Sequence, residues 1–283
     1  MTRIVVDSNS QMPASLIERF GITVVPLPVS VDGVQYLEGV DLEADDFYAR
    51  FESGTPRVST AQPSPGQFAV AYDELVAAGA DEILSVHLGS DVSGTVNAAR
   101  LAAADATVPV LVVDSGTVSF GVTLCAWAAA EAIEAGASIE EAAGVAQRTG
   151  STVGNVFVVR GLELARSGGR LAAADRPADA PADPGDGIPV LAMTSGTMHV
   201  LGHVATLAGA ADLMAAQVLA AGDGLRVGVG VAGKDVAHFW EAIEERLATA
   251  ASTVRELVRY RVGPSVGAHT GPGTVGVMYA PSP

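Results

Sequence analysis

An α/β fold built from two units follows from three features of the chain. Its 283 residues, 49% of them apolar, exceed what one hydrophobic core usually carries. From Arg3 to about Arg148, apolar strands, polar turns and helices alternate, the pattern of a parallel sheet with helices on both faces. From Val153 the alternation gives way to paired strands mixed with helices. The expectation is an N-terminal parallel-sheet α/β domain over residues 1–150 and a second, mixed α+β domain over residues 151–283.

Composition narrows the function. The formal net charge is -16 and Lys234 is the only lysine, so there is no clustered basic face for a nucleic acid or an anionic membrane surface. Cys125 is the single cysteine, which excludes an intramolecular disulfide and a thiolate zinc cluster and fits a reducing cytoplasm. Arg3-Ile4-Val5-Val6-Asp7 reads as a strand and not as a secretory signal. Glu131, Glu134 and Gly136 interrupt the Ala-rich stretch after Leu124 well short of the roughly 20 residues that span a bilayer. No stable membrane insertion, metal or cofactor is expected.

The elements follow in order. Ile4 to Val6 runs into the turn Asp7-Ser8-Asn9-Ser10, then a short helix opened by Pro13, then a strand over Ile22 to Leu27. Asp32-Gly33 between two short apolar runs predicts a tight hairpin outside the main sheet, because both turn positions tolerate positive φ. Ser64-Pro65-Gly66-Gln67 is a capping box with proline in the first turn and predicts a helix to about Ala77. Ile83 to Leu88 is a strand, Asn97 to Ala104 lies in a helix, and Val110 to Val113 feeds the long helix around Cys125 and Trp127. Ser138 and Glu141 cap the next helix. In the second half, strands are expected at Val153 to Val159, on either side of Ser195-Gly196, and at Val227 to Val231. Val262 to Tyr279 reads as Gly-rich and β-like. Ala172 to Gly187, almost entirely Ala, Asp, Pro and Gly, reads as an acidic loop.

Ser93-Gly94-Thr95 places a hydroxyl at a strand-to-helix junction, where the helix dipole receives a carboxylate or phosphate. The same serine would equally serve as a cap for its own helix. Thr60, at the entrance of the preceding helix, converges with Ser93 at the carboxyl edge of a parallel sheet or else faces solvent at a strand end. Asp7-Ser8 and Asp114-Ser115 read as turn-satisfying pairs, and His87, inside an apolar strand, as a core histidine. His269, flanked by glycines that allow close backbone approach, is a candidate hydrogen-bond donor to an acid. The chain has no Gly-x-x-x-x-Gly-Lys-Ser/Thr loop, no His-Glu-x-x-His and no Gly-x-Ser-x-Gly elbow at Ser93. A Ser93–His269 nucleophile pair for acyl hydrolysis or transfer would need an orienting acid that spacing does not place.

Several motifs in order resemble the DegV family of fatty-acid-binding proteins. They include Val5-Val6-Asp7-Ser8, Ser59-Thr60-Ala61-Gln62-Pro63, Val92-Ser93-Gly94-Thr95, Ser167-Gly168-Gly169-Arg170 and Gly267-Ala268-His269-Thr270-Gly271. The resemblance implies a protein that buries an acyl chain between its domains and is not itself an enzyme. It implies that Thr60 and Ser93 fix the carboxylate, with His269 near the head group and Arg170 near the pocket mouth. It further implies, as a partner, a separate fatty acid kinase to which the bound acid is presented. A ligand-free regulatory or interaction paralogue is the other reading. The sequence departs from the family pattern at Ala61, where a serine or threonine is usual. It departs again over Ala172 to Gly187, where a hydrophobic helix is usual, and over Gly202 to Leu207, where a basic stretch is usual.

Overall fold

The structure is a computed structural model and describes residues 1–159, 187–194, 197–248 and 252–282. Arg170 and nearly all of the Ala172 to Gly187 stretch lie outside the described residues. The elements of the first half are β1 (Thr2–Asp7), a 3-10 turn (Ser8–Ser10), α1 (Ala14–Phe20) and β2 (Thr23–Val25). Further along come α3 (Pro65–Ala77), β6 (Glu82–His87), α4 (Thr95–Ala104), β7 (Val110–Asp114), α5 (Phe120–Glu134) and α6 (Ile139–Thr152). The strands form a parallel sheet in the order β2-β1-β6-β7. Val5 and Ile83 pack toward α3 and α4, whereas Ile4, Val6, Leu84 and Val86 pack toward α5 and α6. Both faces are covered, as the unbroken apolar strands require. Ser64 and Ser138 each accept the N–H three residues on, and Gln67 and Glu141 reciprocate, so both predicted capping boxes are present.

The expected strand from Ile22 to Leu27 is shorter than predicted. β2 stops at Val25, before Pro26, which has no N–H to offer a ladder. The chain then enters a separate antiparallel sheet in the order β4-β3-β5, made of β3 (Pro28–Val31), β4 (Val34–Leu37) and β5 (Val58–Thr60). Asp32 and Gly33 have φ of 50° and 84°, as the hairpin reading requires. α2 (Ala44–Ala49) packs Phe47 and Tyr48 against the same small core as Val29 and Val31 of this sheet.

The second half holds a mixed sheet in the order β10-β9-β8-β13-β11-β12. Its strands are β8 (Gly154–Val158), β9 (Ile188–Thr194), β10 (Thr197–Val204), β11 (Leu225–Val231), β12 (Val254–Arg261) and β13 (Val275–Pro281). Among the described residues, only the β11–β12 pairing is parallel. α7 (Leu207–Ala220) and α8 (Phe239–Leu247) cover it. The segment read as β-like from Val262 to Tyr279 instead contains a helix, α9 (Pro264–Thr270), ahead of β13. One of its glycines is set by packing: a methyl group on Gly267 would overlap the rings of Phe47 and Tyr48.

α5 joins the two halves. Val122, Cys125, Ala126 and Ala129 pack in the core of the first sheet, whereas Phe120 and Leu124 pack with Tyr260, Met278 and Ala280 of the second. Gly228 and Gly230, on one face of β11, leave room for a stacked pair, Phe120 over Tyr260 with ring centroids 4.8 Å apart. At the far end of the helix, Arg226 of β11 is 3% exposed. It donates to both oxygens of Glu131 at 2.6 and 2.7 Å, pairs with Glu256 and lies 4.1 Å above the Trp127 ring. Removing one partner from such a cluster leaves charge without compensation. Arg226→Ala is therefore expected to lower unfolding stability by about 3 kcal/mol, read from the urea midpoint.

Candidate functional site

β5 alternates in burial so that Ser59 points out while Val58 and Thr60 point in. Thr60 is paired with Val29 in the small sheet, and α9 packs across that sheet. The result is a hydrogen bond between Thr60 Oγ1 and His269 Nε2, 2.9 Å apart, joining residues from opposite ends of the chain. Ser93 lies in the turn before α4. It is not the helix cap, a position held by Gly94, but its hydroxyl accepts the N–H of Thr95 and sits 2.8 Å from Thr95 Oγ1. The Gln62 side chain lies over Gly94, where a methyl group would overlap its amide, so the Thr60 turn and the Ser93 turn dock on one another.

Thr60, Ser93 and His269 line one cavity of about 550 Å³, within the size range of small-molecule sites. No lysine or arginine is among its described lining residues, and Asp91 is the only carboxylate there. The cavity shares Val118, Met193, Met198, Val266 and Thr270 with a narrower slot of about 110 Å³ that is walled by Val156, Phe157, Val277 and Met278 of the second sheet. A polar end formed largely by the first half thus adjoins an apolar slot against the second.

Spacing gave no signal for the residues that frame the polar end. Asn9, buried beneath the cavity, accepts the N–H of Ser119 at 2.8 Å and donates to Ser265 Oγ at 3.3 Å. Ser119 is held at φ 53°, an unfavourable conformation for a residue with a side chain, where α5 begins. Asp7, the expected turn residue, accepts the N–H groups of Asn9 and Leu88, both of which line the cavity. Asp114 accepts from Ser90 and Gly116 in the neighbouring turn.

His87 is a core histidine, as expected, and its partners form a chain with the order of a hydrolytic triad. Ser85 Oγ is 2.6 Å from His87 Nε2, and His87 Nδ1 is 3.0 Å from Asp7 Oδ2. Ser85, His87 and Asp7 are all 0% exposed, Tyr72 closes the serine end at 2.9 Å, and none of the four lines the cavity. The chain ties β1 to β6 and offers no route for a substrate. Burial likewise pushes the Cys125 thiol up to about 12, so it is no nucleophile near neutral pH. Among the described residues no group of His, Cys, Asp and Glu is placed to hold a metal ion, and no helix is long and apolar enough to cross a membrane.

A parallel α/β unit with helices on both faces of its sheet and a mixed-sheet unit, with a cavity where they meet, define the class of protein: a two-domain α/β protein with its cavity between the domains. The profile of the family described as "Uncharacterised protein, DegV family" matches residues 1–282, and the chain belongs to the DegV family. A DegV domain-containing protein of Streptomyces coelicolor is 34% identical over 278 residues, covering 97% of this chain and 96% of its own. Among solved structures, a DegV family protein from Thermus thermophilus described by its fatty acid binding superposes with a TM-score of 0.87. It is 29% identical and covers 99% of each chain. DegV of Bacillus subtilis, described as a fatty acid binding protein, gives 0.84 at 26% identity over 99% of this chain and 98% of its own.

The buried chain at Asp7 is structural, and its removal should act on stability. Asp7→Ala is expected to cost about 3 kcal/mol in denaturant unfolding, since it strands the buried His87 and two N–H groups. A serine-directed fluorophosphonate should leave Ser85 unlabelled in the native protein, checked by peptide mass spectrometry.

Proposed function

We propose that this chain binds a long-chain fatty acid, with the acyl chain buried between the two units and the carboxylate held by the hydroxyls of Thr60 and Ser93. His269 supports the head group through Thr60. The observation that carries this reading is a hydroxyl-and-imidazole end set beside an apolar slot with which it shares five lining residues. The descriptions of the Thermus and Bacillus relatives agree with it. An acyl chain of about 16 carbons, at roughly 0.8 kcal/mol per buried CH₂, contributes about 12 kcal/mol before ordering costs. The tail therefore supplies affinity while neutral hydroxyls supply orientation, and an acidic chain needs no salt bridge to hold an acid.

In this reading the protein is a carrier and not an enzyme. It works in the cytoplasm, with its units dividing near residue 150, and presents its acid to a separate fatty acid kinase. Ser93 Oγ is engaged with Thr95, which favours a fixed hydroxyl over an activated nucleophile.

Organic extraction of the purified protein followed by mass spectrometry should release close to one fatty acid per chain. A clean extract together with failure to take up added fatty acid would sink the proposal. Thr60→Val and Ser93→Ala should each weaken binding by about 1–3 kcal/mol in a fluorescent fatty-acid titration while leaving the melting temperature close to that of the wild type.

A further inference from the structure

The head-group reading leaves unexplained a buried carboxylate on the other side of the cavity wall. Glu38 follows β4 and is 6% exposed. One of its oxygens accepts the N–H of Ser265 at 2.8 Å and an amide hydrogen of Gln11 at 3.4 Å, and the other accepts the hydroxyl of Ser8. Ser265 lies in the first turn of α9, whose cap, Gly263, has no side chain to satisfy that N–H. One turn further along the same helix, His269 meets Thr60.

We propose that Glu38 is a positioning residue for the head-group end of the cavity: it anchors the first turn of α9 and so sets His269 against Thr60. The inference rests on the fatty-acid reading above.

The wiring requires a carboxylate at this position. Ser8 Oγ already accepts the N–H of Leu27 at 2.9 Å, which directs its own hydrogen toward Glu38. Gln11 gives its amide oxygen to the N–H of Gly263 and its amide hydrogens to Ser8 O and Glu38. Both oxygens of Glu38 must therefore accept, and a glutamine would turn its NH₂ toward either the Ser265 N–H or the Ser8 hydroxyl. There is no slack to absorb the mismatch, because a methyl group on Gly263 would already overlap Glu38 and Gln11. Burial raises the Glu38 carboxyl above its ordinary value, and the hydrogen bonds from Ser8, Ser265 and Gln11 offset only part of that rise. Through Asn9, which bonds Ser265 Oγ and lines the cavity, the same cluster reaches the cavity floor.

The test compares a fluorescent long-chain polyene acid with the alcohol of the same chain, on wild type and Glu38→Gln. The alcohol fills the apolar slot but lacks the carboxylate. A positioning role predicts that the acid binds about tenfold more weakly to the variant while the alcohol is unaffected. Equal losses for both probes, or no loss for the acid, would overturn it. Glu38→Ala, which removes the acceptor of the Ser265 N–H without setting an NH₂ against it or against the Ser8 hydroxyl, should give the same acid-selective loss and serves if Glu38→Gln does not fold. If the wild type takes up no acid, the fatty-acid reading fails separately. The His269 ring resonances in NMR spectra of wild type and variant then decide this inference: a shift upholds it and unchanged resonances overturn it.

Discussion

The structure depends on α5 being buried on every side. From Phe120 to Ala130 each residue is withdrawn from solvent, which a helix achieves only when two layers close over it. One face completes the parallel sheet and the other is pressed on β11 and β13, so the two units share a core element. Stacked rings at one end of the helix and an arginine cluster at the other fix how the units meet. The cavity at their junction is consequently lined by residues from both halves of the chain.

Much of the first half was legible because its signals are local. A capping box, a proline in the first turn and an Asp-Gly turn each state their conformation within a few residues, and Ser64, Ser138 and Asp32-Gly33 behave accordingly. α9 was not legible. Glycine normally argues against a helix, and Gly267 is there for the rings of Phe47 and Tyr48, contacts that no local window contains. β12 carries no clean alternation either, in keeping with its mixed burial.

The candidate site divides in the same way. Thr60, Ser93 and His269 stood out through their turns and through the family resemblance, but the Thr60–His269 hydrogen bond joins positions 209 residues apart and could not be read from spacing. Asn9, Asp7 and Glu38 gave less signal still. Each works by accepting hydrogen bonds from backbone or side chains that only the folded chain brings near. Sequence reading finds groups that face a ligand more readily than groups that hold those groups in place.

The polar end of the cavity has a property that a guanidinium or ammonium would have denied it. The oxygens of Thr60 and Ser93 are held in place while their hydroxyl hydrogens can turn, and an imidazole exchanges donor and acceptor roles between tautomers, so each member of the cluster can reverse the direction of a hydrogen bond. An ionised acid needs donors only, whereas a protonated acid also needs an acceptor for its own hydrogen. A cluster of reversible partners satisfies both without moving a heavy atom, and so it is compatible with a guest in either protonation state. On the proposed fatty-acid reading, such a cluster would receive the acid in the form that leaves a lipid phase and release it in the form that water or another protein prefers.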